Sequence, residues 1–515
     1  MRGDITQRLI ETDVWTDELV GRAGIPVIDV PLVTVGSGLG SFTVFDALRI
    51  YGVPGRAMAV LGPQEVPWGS YEYLTRVSQI PRSERLRSDS GGMPDNLWGF
   101  PSYAVREAIT DKSLRPLWNV LTEPVFTEFY TPRAGQVFTA LEREFHRVDF
   151  ARSLHRGQVR MVRRRFGGGY FTILTPPEGR SATKRIAFRS SYVHIAVGYP
   201  GLRLLPDLQE YRERYRDPTR VVNAYEPHEH VYEALQRRPG TVMVRGSGIV
   251  ASRVLQRLID DRDRLRLNTQ ILHLFRNFVA GPHGPAGLAR RPGGDGWAYQ
   301  AFNFPKASFG GQLKQKLRTL EGRERAEALK TMGGTTTPPH KTWQAQLARG
   351  RAQGWYQIMV GSARNLRPDR GRPGVVTTVV PESDPTLPFP SADRPIDTHA
   401  DYIIDCTGLE ADIREHRLLA DLLDHAGAGR NPLGRLDVDR TFELHGTRSG
   451  NGRMYASGSA TLGGYFAAVD SFLGLQYAAL EIADDLAALG FCGRLTAARS
   501  VRQWWLWVNN RKIPA

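Results

Sequence analysis

Twice along this chain of 515 residues an apolar run ends in Gly-x-Gly and passes directly into a helical pattern, a conjunction that few folds accommodate. The first lies in residues 25–42, where Pro-Val-Ile-Asp-Val-Pro-Leu-Val-Thr-Val predicts a buried strand and Gly36-Ser37-Gly38-Leu39-Gly40-Ser41 a tight turn. A helix over about 42–51, a stop at 52–55 and a strand over 56–61 complete a βαβ unit. The second begins with the strand Thr241-Val-Met-Val-Arg245 and turns through Gly246-Ser247-Gly248-Ile249-Val250-Ala251-Ser252. A helix to about 261 and a strand over 271–276 follow. At such a corner bare backbone N–H groups and the positive end of the helix converge, and a side chain at the glycines would obstruct them. A diphosphate is the ligand that this arrangement favours. Gly36 and Gly38 carry Ser41 at the third position, whereas Gly246 and Gly248 carry Ala251, a residue accepted where helix and strand pack closely. Two corners predict two Rossmann-like dinucleotide-binding domains in an α/β chain.

The residue after the second strand of each unit selects the nucleotide, because a carboxylate binds a free ribose 2′-hydroxyl and a cation suits a 2′-phosphate. In the second unit Arg276 stands there, with Arg253 in the helix start, which predicts NADPH. In the first unit the strand ends Val60-Leu61-Gly62, and the nearest acid, Glu65, comes late. Residues 158–197 read as a small meander returning to a buried strand, residues 281–296 and 367–395 as loops or lids, and residues 467–489 as an apolar helix.

Composition removes several other classes. A hydrophobic content of 41% over this length predicts two or three packed units. Cys406 and Cys492 are the only cysteines, without a Cys-x-x-Cys, which argues against a disulfide framework, a zinc ribbon and a redox dithiol. No Gly-x-Ser-x-Gly elbow or Walker motif is present. The net charge of +15 is scattered among acidic residues, so no nucleic-acid partner is expected. The charged N-terminus and the lack of a membrane-spanning apolar run predict a cytoplasmic protein with no membrane partner. His228-Glu229-His230 lacks further ligands and reads as helix capping, so no metal is expected. The indoles of Trp504, Trp505 and Trp507 suit a substrate cavity, a dimer contact or a membrane interface, and the default reading is a tail packed onto the body, because the segment is too short to anchor alone.

These pieces in this order resemble the class B flavoprotein monooxygenases, the group with N-hydroxylating, Baeyer–Villiger and S/N-oxidising members. Asp401-Tyr-Ile-Ile-Asp-Cys406-Thr407-Gly408-Leu409 is similar to that family's Asp-x-x-x-Leu-Ala-Thr-Gly-Tyr stretch. The stretch from Tyr192 to Pro206 is similar to the companion strand leading into the NADPH domain, and Gly452-Arg-Met-Tyr-Ala-Ser-Gly458-Ser459 to the late FAD-contacting strand. The resemblance implies a three-layer ββα FAD domain formed by residues 1–205 and 396–515, with an NADPH domain inserted at 206–395. It implies FAD held at Gly36, Ser37, Gly38, Gly40, Ser41 and Glu65, and NADPH at Gly246, Ser247, Gly248, Ala251, Ser252, Arg253 and Arg276. It implies further cofactor contacts at Thr407, Gly408, Gly458 and Ser459. Asn96, Trp98 and Tyr103 fall where such enzymes approach the flavin ring and are the catalytic candidates. The implied reaction uses NADPH and O₂ to oxygenate a small-molecule nucleophile, preferably an amine nitrogen, through a (hydro)peroxyflavin. No Baeyer–Villiger Phe-x-Gly-x-x-x-His-x-x-x-Trp signature is found, and Ser459 stands where many relatives carry aspartate. A flavin dehydrogenase or oxidase that inserts no oxygen, and a non-catalytic nucleotide sensor favoured by the missing ribose acid, are the alternatives. The oligomeric state stays open, a homo-oligomer included.

Overall fold

The computed structural model describes residues 3–86, 93–126, 130–179, 181, 183–281, 294–297, 311–331, 341–382, 394–409 and 412–514. Along the chain, the first elements that position the site are β1 (Leu32–Val35), α1 (Leu39–Ile50), β2 (Met58–Gly62), α2 (Gly69–Val77), β3 (Leu154–Arg156) and β4 (Tyr192–Ile195). After them come β5 (Thr241–Arg245), α3 (Ile249–Leu265), β6 (Gln270–Phe275), β7 (Tyr402–Asp405), β8 (Arg453–Ala456), α4 (Phe472–Ala488) and α5 (Ala497–Val508).

One sheet is wholly parallel, in the order β8-β4-β1-β2-β3, with Leu32 of β1 paired to Met58 on one side and Tyr192 on the other. The unalternated run Leu-Val-Thr-Val of β1 is buried at every position, as a parallel strand covered on both faces requires. One cover is α1, which packs against α4 and is therefore buried over almost its whole circumference. Gly52, at φ +92°, provides the left-handed residue just beyond its end. The other cover is a mixed sheet in the order Val14–Trp15, Gln158–Arg165, Tyr170–Thr175, Ile186–Ser190, Val27–Asp29. Its middle three strands are the antiparallel meander expected at 158–197, and Val162, Leu174 and Phe188 share one core with Val33 and Val60.

The second unit has its own sheet: Val221–Asn223, β7, β5, β6 and Tyr356–Pro368 run parallel, and Val375–Pro381 and Ile396–Ala400 close the edge antiparallel. Val242, Val244, Leu255, Ile271 and Ile404 form a core separate from that of the first unit. The fold is thus the expected α/β pair of Rossmann-like units, with ββα layering in the first. Among the described residues, no helix is long and apolar enough to cross a membrane.

Several sequence expectations shift. The strand expected within residues 25–42 is two strands in two sheets, split at Pro31, whose carbonyl accepts the N–H groups of Ser191 and Tyr192. Proline cannot donate to a ladder, so the chain changes sheet there. Helix α1 starts at Leu39, earlier than the apolar pattern indicated. Residues 375–381 of the expected lid at 367–395 are a paired strand, while 383–393 and 282–293 lie outside the described residues. Strand pairing also carries the second sheet past residue 395 to Asp405, because Ile403 pairs with Met243 across a long stretch of sequence.

Candidate functional site

The first glycine corner opens into a cavity of about 790 Å³, well within the range of cofactor sites. Gly36 has φ +99°, and a Cβ there would lie 2.2 Å from the Ala196 carbonyl oxygen at the end of β4. A Cβ on Gly40 already stands 3.0 Å from that of Ala196. Gly38 caps α1 without a side-chain hydrogen bond, so the first-turn N–H groups are left for a ligand. Buried Ser37 accepts the Gln64 N–H at 2.8 Å through its Oγ. It also decides what can follow β2. A Cβ on Gly62 would lie 2.4 Å from the Ser37 nitrogen, so no carboxylate-bearing side chain fits at the strand end. Gln64 lines the cavity in that place, and Glu65 does not; its carboxylate is solvent-exposed and paired with Arg156.

Ser41 is fully buried and turned inward. Its Oγ accepts from the Thr34 hydroxyl at 2.8 Å, Thr34 contacts His194 Nδ1 at 2.9 Å, and His194 Nε2 contacts the Ser457 hydroxyl at 2.8 Å. Burial pushes the His194 imidazole down to about 3, so it is neutral at physiological pH. The relay ties β1, β4 and the end of β8 together beneath the cavity, and Ser457, which no motif singled out, forms part of the cavity wall. Gly458 and Ser459 also line it, with Ser459 donating to the Gly198 carbonyl at 2.8 Å. Near the start of α4, Asp470 accepts from the Tyr199 hydroxyl at 2.8 Å, and both residues belong to the wall.

The second corner repeats the plan. Gly246 has φ +114°, and a Cβ there would lie 2.9 Å from the Cys406 carbonyl oxygen at the end of β7. Gly248 caps α3 without a side-chain bond, Ser247 is half-buried in the turn, and Ala251 is fully buried against the sheet. Ser252 donates to the Ile249 carbonyl at 2.7 Å and is internally satisfied. Beneath the turn, His273 contacts the Gly246 carbonyl through Nε2 and the Tyr356 hydroxyl through Nδ1, both at 2.7 Å. Burial pushes this imidazole down to about 4. Arg276 is exposed just after β6, in the position suited to a 2′-phosphate. Arg253 is elsewhere: its buried guanidinium pairs with Glu84 of the first unit. Thr407 donates its N–H to Asp405 Oδ1 at 3.1 Å, and Gly408 has φ +134°. Because Cys406 touches the second corner and Leu409 lines the first cavity, Thr407 and Gly408 span the space between them.

The catalytic candidates lie apart from the cavity wall. Asn96 is buried, its side-chain amide donating to the Phe100 carbonyl at 2.7 Å and its backbone carbonyl accepting from the Gln476 side chain of α4. Tyr103 donates to Asp95 at 2.5 Å in the interior, where desolvation pushes the Asp95 carboxyl up to about 6. Trp98 donates to Ser500 Oγ at 3.1 Å and packs 5.6 Å from Trp507, so it belongs to the packing under α5. Of the two histidines at 228 and 230, His228 contacts the Glu226 carbonyl and the Tyr232 hydroxyl, and His230 the Thr219 carbonyl.

No protein-family model matches the sequence, and no curated protein matches it. Solved structures do match. The ornithine hydroxylase PvdA from Pseudomonas aeruginosa is 15% identical, with a TM-score of 0.62, over 90% of this chain and 100% of its own. The FAD-bound cadaverine monooxygenase DfoA from Erwinia amylovora is 13% identical, with a TM-score of 0.62, over 90% of this chain and 94% of its own. The ornithine N-hydroxylase KtzI from a Kutzneria species, solved with reduced FAD, NADP⁺ and L-ornithine, is 14% identical, with a TM-score of 0.58, over 89% of this chain and 99% of its own. At these identities the likeness is one of fold, and it extends over both units.

Proposed function

We propose that the chain is an FAD-dependent, NADPH-using monooxygenase that oxygenates a small-molecule nucleophile, with an amine nitrogen preferred. The observation that carries the reading is the first corner, where glycines pressed against Ala196 leave backbone amides facing a cavity of dinucleotide dimensions. In this reading Gly36, Ser37, Gly38 and Gly40 hold the FAD diphosphate, Gln64 lies beside the adenosine end, and Gly458 and Ser459 lie toward the ring. Gly246, Ser247, Gly248 and Ala251 hold NADPH, Arg276 meets its 2′-phosphate, and Thr407 and Gly408 pass between the two nucleotides. Bound FAD would supply the redox chemistry, taking hydride from NADPH and activating O₂.

The protein's part is positioning. The relay through Thr34, His194 and Ser457 fixes the cradle against the cavity wall, and its neutral imidazole adds no charge beneath a diphosphate. Asp470 offers a carboxylate in the wall to a cationic amine, the class that the three fold relatives' names describe. Reliance on NADPH would suit a cytoplasmic setting. The test is to supply the purified protein with NADPH, O₂ and a panel of diamines and basic amino acids, and to assay hydroxylamine and hydrogen peroxide. Hydroxylamine formed in step with NADPH consumption supports the reading. Peroxide as the sole product would select the oxidase alternative, and failure to bind FAD would select the sensor.

A further inference from the structure

Helix α5 takes no part in the redox reading. One side of it is fixed to the body: Trp507 is 1% exposed, with its ring 5.6 Å from Trp98 and 6.5 Å from Phe100, and Gln503 is buried. The opposite side carries Val501, Trp505 and Val508, at 65%, 46% and 45% exposure. Their i, i+4, i+7 spacing aligns three large apolar side chains in one stripe facing solvent. Along the segment that carries the stripe the charged side chains have a single sign. Residues 490–514 contain Arg494, Arg499, Arg502, Arg511 and Lys512 and no carboxylate. Arg494, Arg502, Arg511 and Lys512 are exposed and form no ion pair among the described residues, and the Arg511 guanidinium lies over the Trp505 ring at 4.8 Å.

We propose that α5 is a docking surface for an anionic lipid bilayer, on which the protein rests without crossing it. An apolar stripe flanked by unpaired cations complements a surface with phosphate outside and hydrocarbon beneath, and an indole is suited to the headgroup level between them. A second copy of this chain fits poorly, because a two-fold contact through the stripe would bring the same cations together with no acid to neutralise them. The sequence expectation of no membrane partner rested on the missing span and on the shortness of the indole-rich segment, whereas lying on a bilayer needs an exposed apolar face with cations beside it, which α5 and the residues flanking it supply together.

The experiment is flotation of the full-length protein with phosphatidylcholine vesicles containing about one-third phosphatidylglycerol, beside vesicles of phosphatidylcholine alone. The expected result is at least roughly tenfold more protein with the anionic vesicles, lost on raising salt to about 0.5 M, and a blue shift of tryptophan emission on binding. Trp505→Ser and, separately, Arg502→Glu with Lys512→Glu should each lower binding roughly tenfold; the second pair alters charge alone and leaves the packed face untouched. The proposal is overturned if anionic vesicles float no protein, if neutral vesicles bind equally, or if neither variant changes binding. It is also overturned if the wild type sediments as a dimer that Trp505→Ser dissociates while vesicles stay bare.

Discussion

At both corners a glycine of positive φ presses on the carbonyl that follows the neighbouring strand, Gly36 on Ala196 and Gly246 on Cys406, and a buried neutral histidine lies beneath. The supports differ. Among the described residues the His194 ring bonds to the hydroxyls of Thr34 and Ser457, linking three strands, while the His273 ring bonds to the Gly246 carbonyl of the corner itself and to Tyr356. The carbonyl can only accept, so His273 carries its proton on Nε2 and accepts a hydrogen bond from the Tyr356 hydroxyl at Nδ1. The selecting position differs most: Gly62 is closed by Ser37 in the first unit, and Arg276 stands open to solvent in the second. The glycine corner is therefore common to both units, and in the proposed function the residue after the second strand is what distinguishes the two nucleotides.

Filling the glycines should have the largest effect. Gly36→Ala would place a Cβ 2.2 Å from a backbone carbonyl, where nothing flexible can yield. A cost of about 3 kcal/mol or more follows, read as a rise of over a hundredfold in the FAD dissociation constant by flavin fluorescence. Gly246→Ala, with 2.9 Å available, should leave FAD bound and raise the KM for NADPH roughly tenfold. Equal loss of FAD in both variants would mean that the corners do not serve separate nucleotides. Next in size, Arg276→Glu should lower the NADPH-to-NADH ratio of kcat/KM by roughly tenfold or more, because the charge-assisted contact to the 2′-phosphate becomes a repulsion.

The two buried histidines also make stability depend on pH. Each has a folded-state pKa below the ordinary value of about 6.5, so the unfolded chain binds the proton first. Stability is full above about pH 6.5 and falls as pH drops, through about 4 for His273 and on toward 3 for His194. Melting temperatures measured between pH 7.5 and 4 should decline in the wild type, and His273→Gln should flatten the part between about 6.5 and 4. The smallest effect is expected at Glu65. As an exposed ion-pair partner outside the cavity, it contributes at most about 0.5 kcal/mol, so Glu65→Gln should shift FAD affinity by less than about twofold.

What the sequence disclosed was what is local. Gly-x-Gly after an apolar run encodes strand, turn and helix within a few residues, and both corners stand where that pattern put them. The absence of a ribose acid was also visible, though not its cause, since the Ser37–Gly62 contact joins residues on different elements. Pairing across the sheet hid the end of the second unit, because nothing near Tyr402 shows that it sits beside Val242. The placement of Asn96, Trp98 and Tyr103 was not legible for a related reason: a buried amide, indole and phenol look alike in sequence whether they face a cavity or pack behind a helix. Arg253 shares the helix start with the corner, yet its guanidinium is buried against Glu84, a partner that lies far away in sequence.

One measurement reaches the centre of the account. Freshly purified protein is reconstituted with FAD, made anaerobic and titrated with NADPH while its visible spectrum is recorded. Two separate diphosphate cradles predict about one FAD per chain and bleaching that is complete near one equivalent of NADPH. A protein that takes up no FAD, or a yellow one whose spectrum NADPH leaves unchanged, would contradict the claim that both corners hold nucleotides in reach of one another.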